Sequence, residues 1–174
     1  MEKQQIVISG LGGQGVLFLT RILSESALLM DLDVITSETH GMAQRGGTVI
    51  SNVKIGGFKS SLIRARKADI LFLLARENLD IHSFYLKEDG IIYANTNKPG
   101  PYKYIDGNSI AKRLGSLVVA NLIILGYALK DGKLFCSIDI VKDAIKRITP
   151  SSKLDLNIDA LKYGYEISKK NNLL

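Results

Sequence analysis

Tryptophan is absent from this chain of 174 residues, cysteine occurs once, histidine twice and proline three times. A single cysteine, Cys136, cannot close an internal disulfide, and it cannot by itself hold an iron–sulfur cluster or a structural zinc. Any redox centre has to come from another chain. No apolar run approaches the ~20 uninterrupted residues that span a bilayer. Met1 to Gln5 lead straight into an apolar run, so neither a secretory nor a transit segment is expected, and a cytoplasmic location follows as an expectation. The sequence also lacks a Ser-His-Asp order, a His/Cys metal spacing and the Lys-Ser/Thr that completes a phosphate-cradling loop.

What is present is an ordinary globular composition, 46% hydrophobic and 23% charged, long enough to bury a real core. We read residues 1–174 as one domain, without repeats or linkers. The net charge of +6 is uneven: residues 1–58 carry four Lys/Arg against five Asp/Glu, and residues 59–174 carry nineteen against twelve. The basic residues are scattered and no aromatic residues interleave them as a stacking platform, so solvated faces are expected rather than a nucleic-acid site.

The chain is organised around Ile6-Val7-Ile8-Ser9-Gly10-Leu11-Gly12-Gly13-Gln14-Gly15. An apolar run stops in four glycines, and an amphipathic helix begins with Val16. Glycine at 10, 12 and 15 allows a tight exit from a buried strand, close approach to bare backbone and close packing of the helix start. Free N–H groups of the first helical turn would point into the same crevice. The carboxylate that grips a ribose about 20 residues on is not clearly placed. From the loop alone, nucleotide binding and a purely structural turn both stay open.

Helical spacing of Val16, Leu19, Leu23, Ala27 and Met30 predicts a helix, and Val34–Ser37 a short strand parallel to the first. Glu38 to Gly47 has no apolar period and reads as a loop. Thr48–Ile55 alternates as a strand, with Phe58-Lys59-Ser60 pairing back as a hairpin after Gly56-Gly57 and an antiparallel element in a mixed sheet as the result. Further strands are expected at Asp69–Leu74, Ile91–Ala94 and, at an edge, Tyr102–Ile105. A helix is read from about Ala75 to Lys87, another turn capped by Asn108 or Ser109, and an apolar helix from Ser116 to Leu129 that must be sandwiched or buried by a partner. Ile138–Ile148 and Ile158–Lys169 complete the helices. The fold class is α/β: a Rossmann-like domain with a mainly parallel, mixed sheet flanked by helices.

Several residues carry chemistry, each with a plainer alternative. His40 lies in the glycine-bounded loop and suits proton transfer or donation to an anion, but no nucleophile accompanies it and a hydrogen-bonded loop histidine is the plainer reading. Arg45, between Gln44 and Gly46-Gly47, sets a forked donor beside bare backbone, fit to grip a phosphate or carboxylate; a salt bridge to Glu38 is its alternative. Gln14 offers an amide at the crevice mouth or merely caps the helix. His82 and Cys136 are read as structural.

The two glycine segments together, Gly10 to Gly15 and Ser37-Glu38-Thr39-His40-Gly41-Met42-Ala43-Gln44-Arg45-Gly46-Gly47, followed by a strand ending Val53-Lys54-Ile55-Gly56, resemble the small gamma-type subunit of the 2-oxoacid:ferredoxin oxidoreductases. The His-Gly-Met-Ala-Gln-Arg-Gly-Gly wording is most similar to the beta subunit of the indolepyruvate members. The likeness runs from Ile6 through about Leu74 and resumes around Asn121. It implies a subunit inactive alone, in a heteromeric complex that oxidatively decarboxylates an aryl-pyruvate to an acyl-coenzyme A. Thiamine diphosphate and iron–sulfur clusters would sit on a large partner subunit, with ferredoxin as electron acceptor and coenzyme A admitted nearby. The candidate site residues so carried over are Gly10, Gly12, Gly13, Gln14, Gly15, His40, Gln44, Arg45, Gly46 and Gly47. The isolated chain is expected to self-associate and to engage neither nucleic acid nor membrane. The alternative is a stand-alone Rossmann-type module for a nucleotide or flavin.

Overall fold

The computed structural model describes residues 3–40 and 46–170. Six strands form one sheet: β1 (Gln4–Leu11), β2 (Val34–His40), β3 (Thr48–Ile55), β4 (Ala68–Leu73), β5 (Leu86–Asn95) and β6 (Lys103–Ile105), in the spatial order β2-β3-β1-β4-β5-β6. β1, β4, β5 and β6 run parallel to one another, and only β3 is antiparallel, to both β1 and β2. β1 sends Ile6 and Ile8 into one hydrophobic cluster and Val7 into another. Burial on both faces explains why its apolar run is continuous instead of alternating.

One face carries the long helices α1 (Val16–Leu29), α4 (Ala120–Lys130), α5 (Ile138–Ile148) and α6 (Ser151–Lys170), with the shorter α3 (Gly107–Arg113) beside them. α1 lays Val16, Leu19, Ile22, Leu23 and Ala27 on the sheet. It stops where Asp31 turns left-handed (φ 55°), letting the Leu32 N–H return to the Ala27 carbonyl at 3.0 Å. α4 is apolar all round because it is enclosed: nine of its eleven residues are buried beneath α6 and against the sheet. Its crossing with α6 is a backbone contact. A Cβ on Gly126 would lie 2.1 Å from the Leu161 carbonyl oxygen, and one on Gly164 2.0 Å from that of Ile123.

Several expectations need correcting. β3 lies between β1 and β2, so the first two parallel strands are not neighbours; β3 is buried over Ser51–Ile55 and takes the more enclosed place. Phe58-Lys59-Ser60 forms no hairpin. The Phe58 ring instead lies under the ammonium groups of Lys3 and Lys54, at 5.1 and 4.4 Å. Glu38–His40 belong to β2 rather than to the following loop. The segment expected to be one helix to Lys87 is three short turns, Arg76–Asn78, α2 (Leu79–His82) and Ser83–Tyr85, because its buried groups point alternately at the sheet and its span is too short for a continuous helix. Asp106, not Asn108 or Ser109, caps α3, accepting from the Ser109 N–H at 2.9 Å. Ser116 makes no side-chain cap, and the final helix begins seven residues earlier than its apolar pattern suggests, at Ser151 after Pro150.

The second sheet face has a thin cover. A strap, residues 56–67, crosses it with Ile63 packed near Val7 and Leu71, and the short turns 76–85 complete the layer.

Candidate functional site

The carboxyl ends of β1, β4 and β5 open at one end of the sheet. From β1 the chain returns to one side of it and from β4 to the other, which is the switch point where open α/β sheets hold ligands. Gly10 ends the buried part of β1. A Cβ there would come within 2.9 Å of Val16 Cγ2 and 3.1 Å of Leu74 Cβ, so bare backbone is a packing requirement. Gly13 (φ 94°) and Gly15 (φ 79°) are left-handed, and Gly15 is the N-cap of α1. Gln14 folds back on the turn, its Oε1 accepting from the Leu11 N–H at 2.7 Å. The structure therefore gives it a bracing role within the turn.

The two glycine segments meet. Gly12 N–H donates to the Gly47 carbonyl at 2.9 Å, and a Cβ on Gly12 would lie 3.4 Å from the Gly46 nitrogen. The cause is topological: β2 ends and β3 begins at the same end of the sheet as the glycine turn, with Leu11 paired to Thr48 and His40 to Val49. Gln44 and Arg45 lie outside the described residues, as do residues 41–43.

Beside the turn a crevice of about 590 Å³ separates Gly12, Gly13 and Gln14 from Asn95, Asn108 and Asn121. Leu117 and Val118, both well exposed, form its apolar rim. A depression of about 460 Å³ continues it past Arg76 and Lys98. Asn121 reaches from α4 to donate to the Gly15 carbonyl at 3.1 Å, and Asn95 donates to Asn108 Oδ1 at 3.0 Å. The side-chain carbonyl oxygens of Asn95 and Asn121 are buried without a partner among the described residues. Arg76 donates from Nε to the Tyr102 hydroxyl at 2.9 Å, which holds its guanidinium even more firmly charged. A larger hollow, about 650 Å³, lies at the opposite, amino end of the strands, away from the switch point.

Beneath the turn, on the thin face, Ser9, Asn78 and His82 form a buried network. Ser9 Oγ lies 2.8 Å from His82 Nδ1, and Asn78 donates to Ser9 Oγ at 2.9 Å and to the Gly10 carbonyl at 3.3 Å. Burial lowers the His82 pKa, so the ring is neutral and accepts from the serine. Ser9 is fully buried and unavailable as a nucleophile. The network supports the end of β1, and the structural reading of His82 holds.

The arrangement is therefore built to bind and not to transform. It offers the amino end of α1, bare glycine backbone and asparagine amides, with no base paired to an accessible nucleophile. Asn78, Asn95 and Asn121 escaped the sequence reading. Asn95 ends an apolar strand run, a position where site residues collect; nothing local marks the other two. Among the described residues no three His, Cys, Asp or Glu side chains gather as a metal site. Burial pushes the Cys136 thiol up to about 12, so the donor set does not fit a cluster. No described helix is long and apolar enough to cross a membrane.

Residues 5–167 match the family model described as pyruvate ferredoxin/flavodoxin oxidoreductase. The chain is 31% identical to indolepyruvate oxidoreductase subunit IorB of Archaeoglobus fulgidus over 92% of each chain. Among solved structures it is similar to the keto/oxoacid ferredoxin oxidoreductase gamma subunit of Geobacter sulfurreducens, with a TM-score of 0.75, 28% identity and coverage of 96% of this chain and 99% of that one. It shares its fold with part of the Magnetococcus marinus 2-oxoglutarate:ferredoxin oxidoreductase, solved with 2-oxoglutarate, coenzyme A and succinyl-CoA bound: TM-score 0.78, 17% identity, 98% of this chain and 32% of that one. The chain belongs to the pyruvate ferredoxin/flavodoxin oxidoreductase family, in the form of its small gamma-type subunit.

Proposed function

We propose that this chain works within an aryl-pyruvate:ferredoxin oxidoreductase, with indolepyruvate as its 2-oxoacid, and that the joined glycine segments help seat coenzyme A. The substrate reading is supported by the likeness to the archaeal indolepyruvate subunit over nearly the whole chain. Thiamine diphosphate and iron–sulfur clusters, held by a large partner subunit, supply the decarboxylation and the electron transfer to ferredoxin. This chain contributes binding and positioning. The observation that carries the site is the Gly12 N–H to Gly47 carbonyl bond, which ties the α1 amino end to the strand following Arg45.

The donor set suits the anionic part of such a ligand: α1 backbone N–H groups, and Arg45 as a forked cation. Gly10, Gly12, Gly13, Gln14 and Gly15 shape the turn; His40, Gln44, Gly46 and Gly47 belong to the facing segment. His40 orients rather than transfers a proton. The isolated chain associates with itself when its large partner is missing. The exposed Leu117 and Val118 at the crevice rim support that reading, whereas the apolar helix α4 that follows them is enclosed within the fold and offers no such surface.

The test is the assembled complex. Arg45→Lys keeps the charge and loses the fork, so it should reduce kcat/KM for coenzyme A nearly as much as Arg45→Ala, by about 1.5–3 kcal/mol. His40→Ala should do less. Unchanged kcat and KM for both substrates in Arg45→Ala, with assembly intact, would reduce the loop to a structural element.

A further inference from the structure

The two faces of the sheet are covered unequally, and the thin face concentrates uncompensated positive charge. Its strap carries Lys59, Arg64, Arg66 and Lys67, all exposed, and no acidic residue lies between Phe58 and Lys67. None of the four forms an ion pair with a described carboxylate. Beneath the strap, Lys54 is 7% exposed, a buried ammonium that meets only the Leu62 carbonyl at 3.1 Å and the Phe58 ring. Burial lowers its pKa, and the nearby Arg64 adds to the effect. A buried cation is ordinarily matched by a carboxylate, and this one has no described acid beside it.

Apolar groups stand among these charges. Leu62 on the strap and Ile81 and Phe84 on the adjoining turns are each more than half exposed. The Arg66 N–H donates to the Phe84 carbonyl at 2.9 Å, and that of Lys67 to Tyr85 at 2.9 Å, joining strap and turn into one surface. Exposed aliphatic and aromatic anchors with arginine close by have the composition of an interface core with a charged surround.

We propose that this face docks an acidic protein surface, carboxylates around an apolar patch, on another subunit of the complex; this rests on the reading of the chain as a subunit. The strap's cations pair with those carboxylates, and Leu62, Ile81 and Phe84 fill the apolar centre. Aliphatic anchors favour a protein over a phosphate backbone, which would need cations and stacking rings.

The experiment measures binding of the full chain to the purified large thiamine- and cluster-binding subunit. The variant Arg64→Glu/Lys67→Glu is compared with Lys153→Glu/Lys162→Glu, which reverses equal charge on α6 across the sheet. The strap variant should bind at least tenfold more weakly at low ionic strength, chiefly through a slower on-rate, and the gap should narrow as salt is added. The α6 variant should bind as wild type does. Amide exchange should slow at residues 58–67 and 81–84 on binding. Equal affinity of wild type and strap variant, or no protection there, overturns the proposal while leaving the subunit reading intact. Failure of the wild-type chain to bind at all overturns both. Protection of these peptides by duplex RNA or anionic vesicles, but not by the large subunit, would overturn it by assigning the charge to phosphate.

Discussion

Gly15→Ala tests how the crevice is built. Gly15 sits at φ 79°, and a Cβ there would fall 2.2 Å from Asn121 Nδ2 and 3.1 Å from its Cγ. Left-handed strain on an alanine costs about 1–2 kcal/mol. Expelling the Asn121 amide breaks its hydrogen bond to the Gly15 carbonyl, about 1 kcal/mol, and leaves a buried amide with neither end satisfied, about 1–3 kcal/mol more. The sum is roughly 3–6 kcal/mol, a large part of an ordinary domain's stability. Gly13→Ala is the control. Its φ is 94° but nothing lies within 4 Å of the new Cβ, so it bears the strain alone. In an Asn121→Ala background, the methyl group added at position 15 would meet only the residue 121 Cβ, at 3.9 Å, an ordinary contact. Most of the Gly15→Ala cost should then vanish. Urea unfolding followed by far-ultraviolet circular dichroism reads all four variants without needing tryptophan. If Gly15→Ala costs no more than Gly13→Ala, or if Asn121→Ala recovers nothing, the packing of α1 on α4 through this pair is refuted.

Three other outcomes are expected. Gly126→Ala and Gly164→Ala each drive a Cβ into a backbone carbonyl of the facing helix, so each should cost at or above about 3 kcal/mol in the same unfolding assay; a mild effect would mean that the helices slide apart freely. His82, held neutral below its ordinary pKa of 6.5, takes up a proton in the unfolded chain before the native state does. Stability should therefore fall as pH drops below about 6.5, and His82→Gln should show a shallower slope in melting temperature over that interval. Cys136, buried and raised to about 12, should resist a thiol reagent at pH 8 in the native state and react once urea unfolds the chain; rapid native labelling would contradict its burial.

The features the sequence determined alone are local. The glycine turn and its helix follow from conformational freedom and apolar period, and the bounds of β3 and α5 fall where alternation and caps place them. The likeness of the two glycine segments to one family was also readable, because such wording survives as a string. Burial and neighbour relations were not. Asn52 and Lys54 look like an exposed side of β3, yet the strap covers both. Placing β3 between β1 and β2 depends on the competition of whole strands for the sheet's interior, which no window of residues contains. Only the folded chain joins Gly12 to Gly47, sets Asn121 against Gly15, and uses Gly126 and Gly164 to bring two helices to backbone contact. Each of these pairs residues far apart in sequence, and a glycine or asparagine has no pattern that names its distant partner. What decides them is the space left when sheet and helices close, and that space exists only in three dimensions.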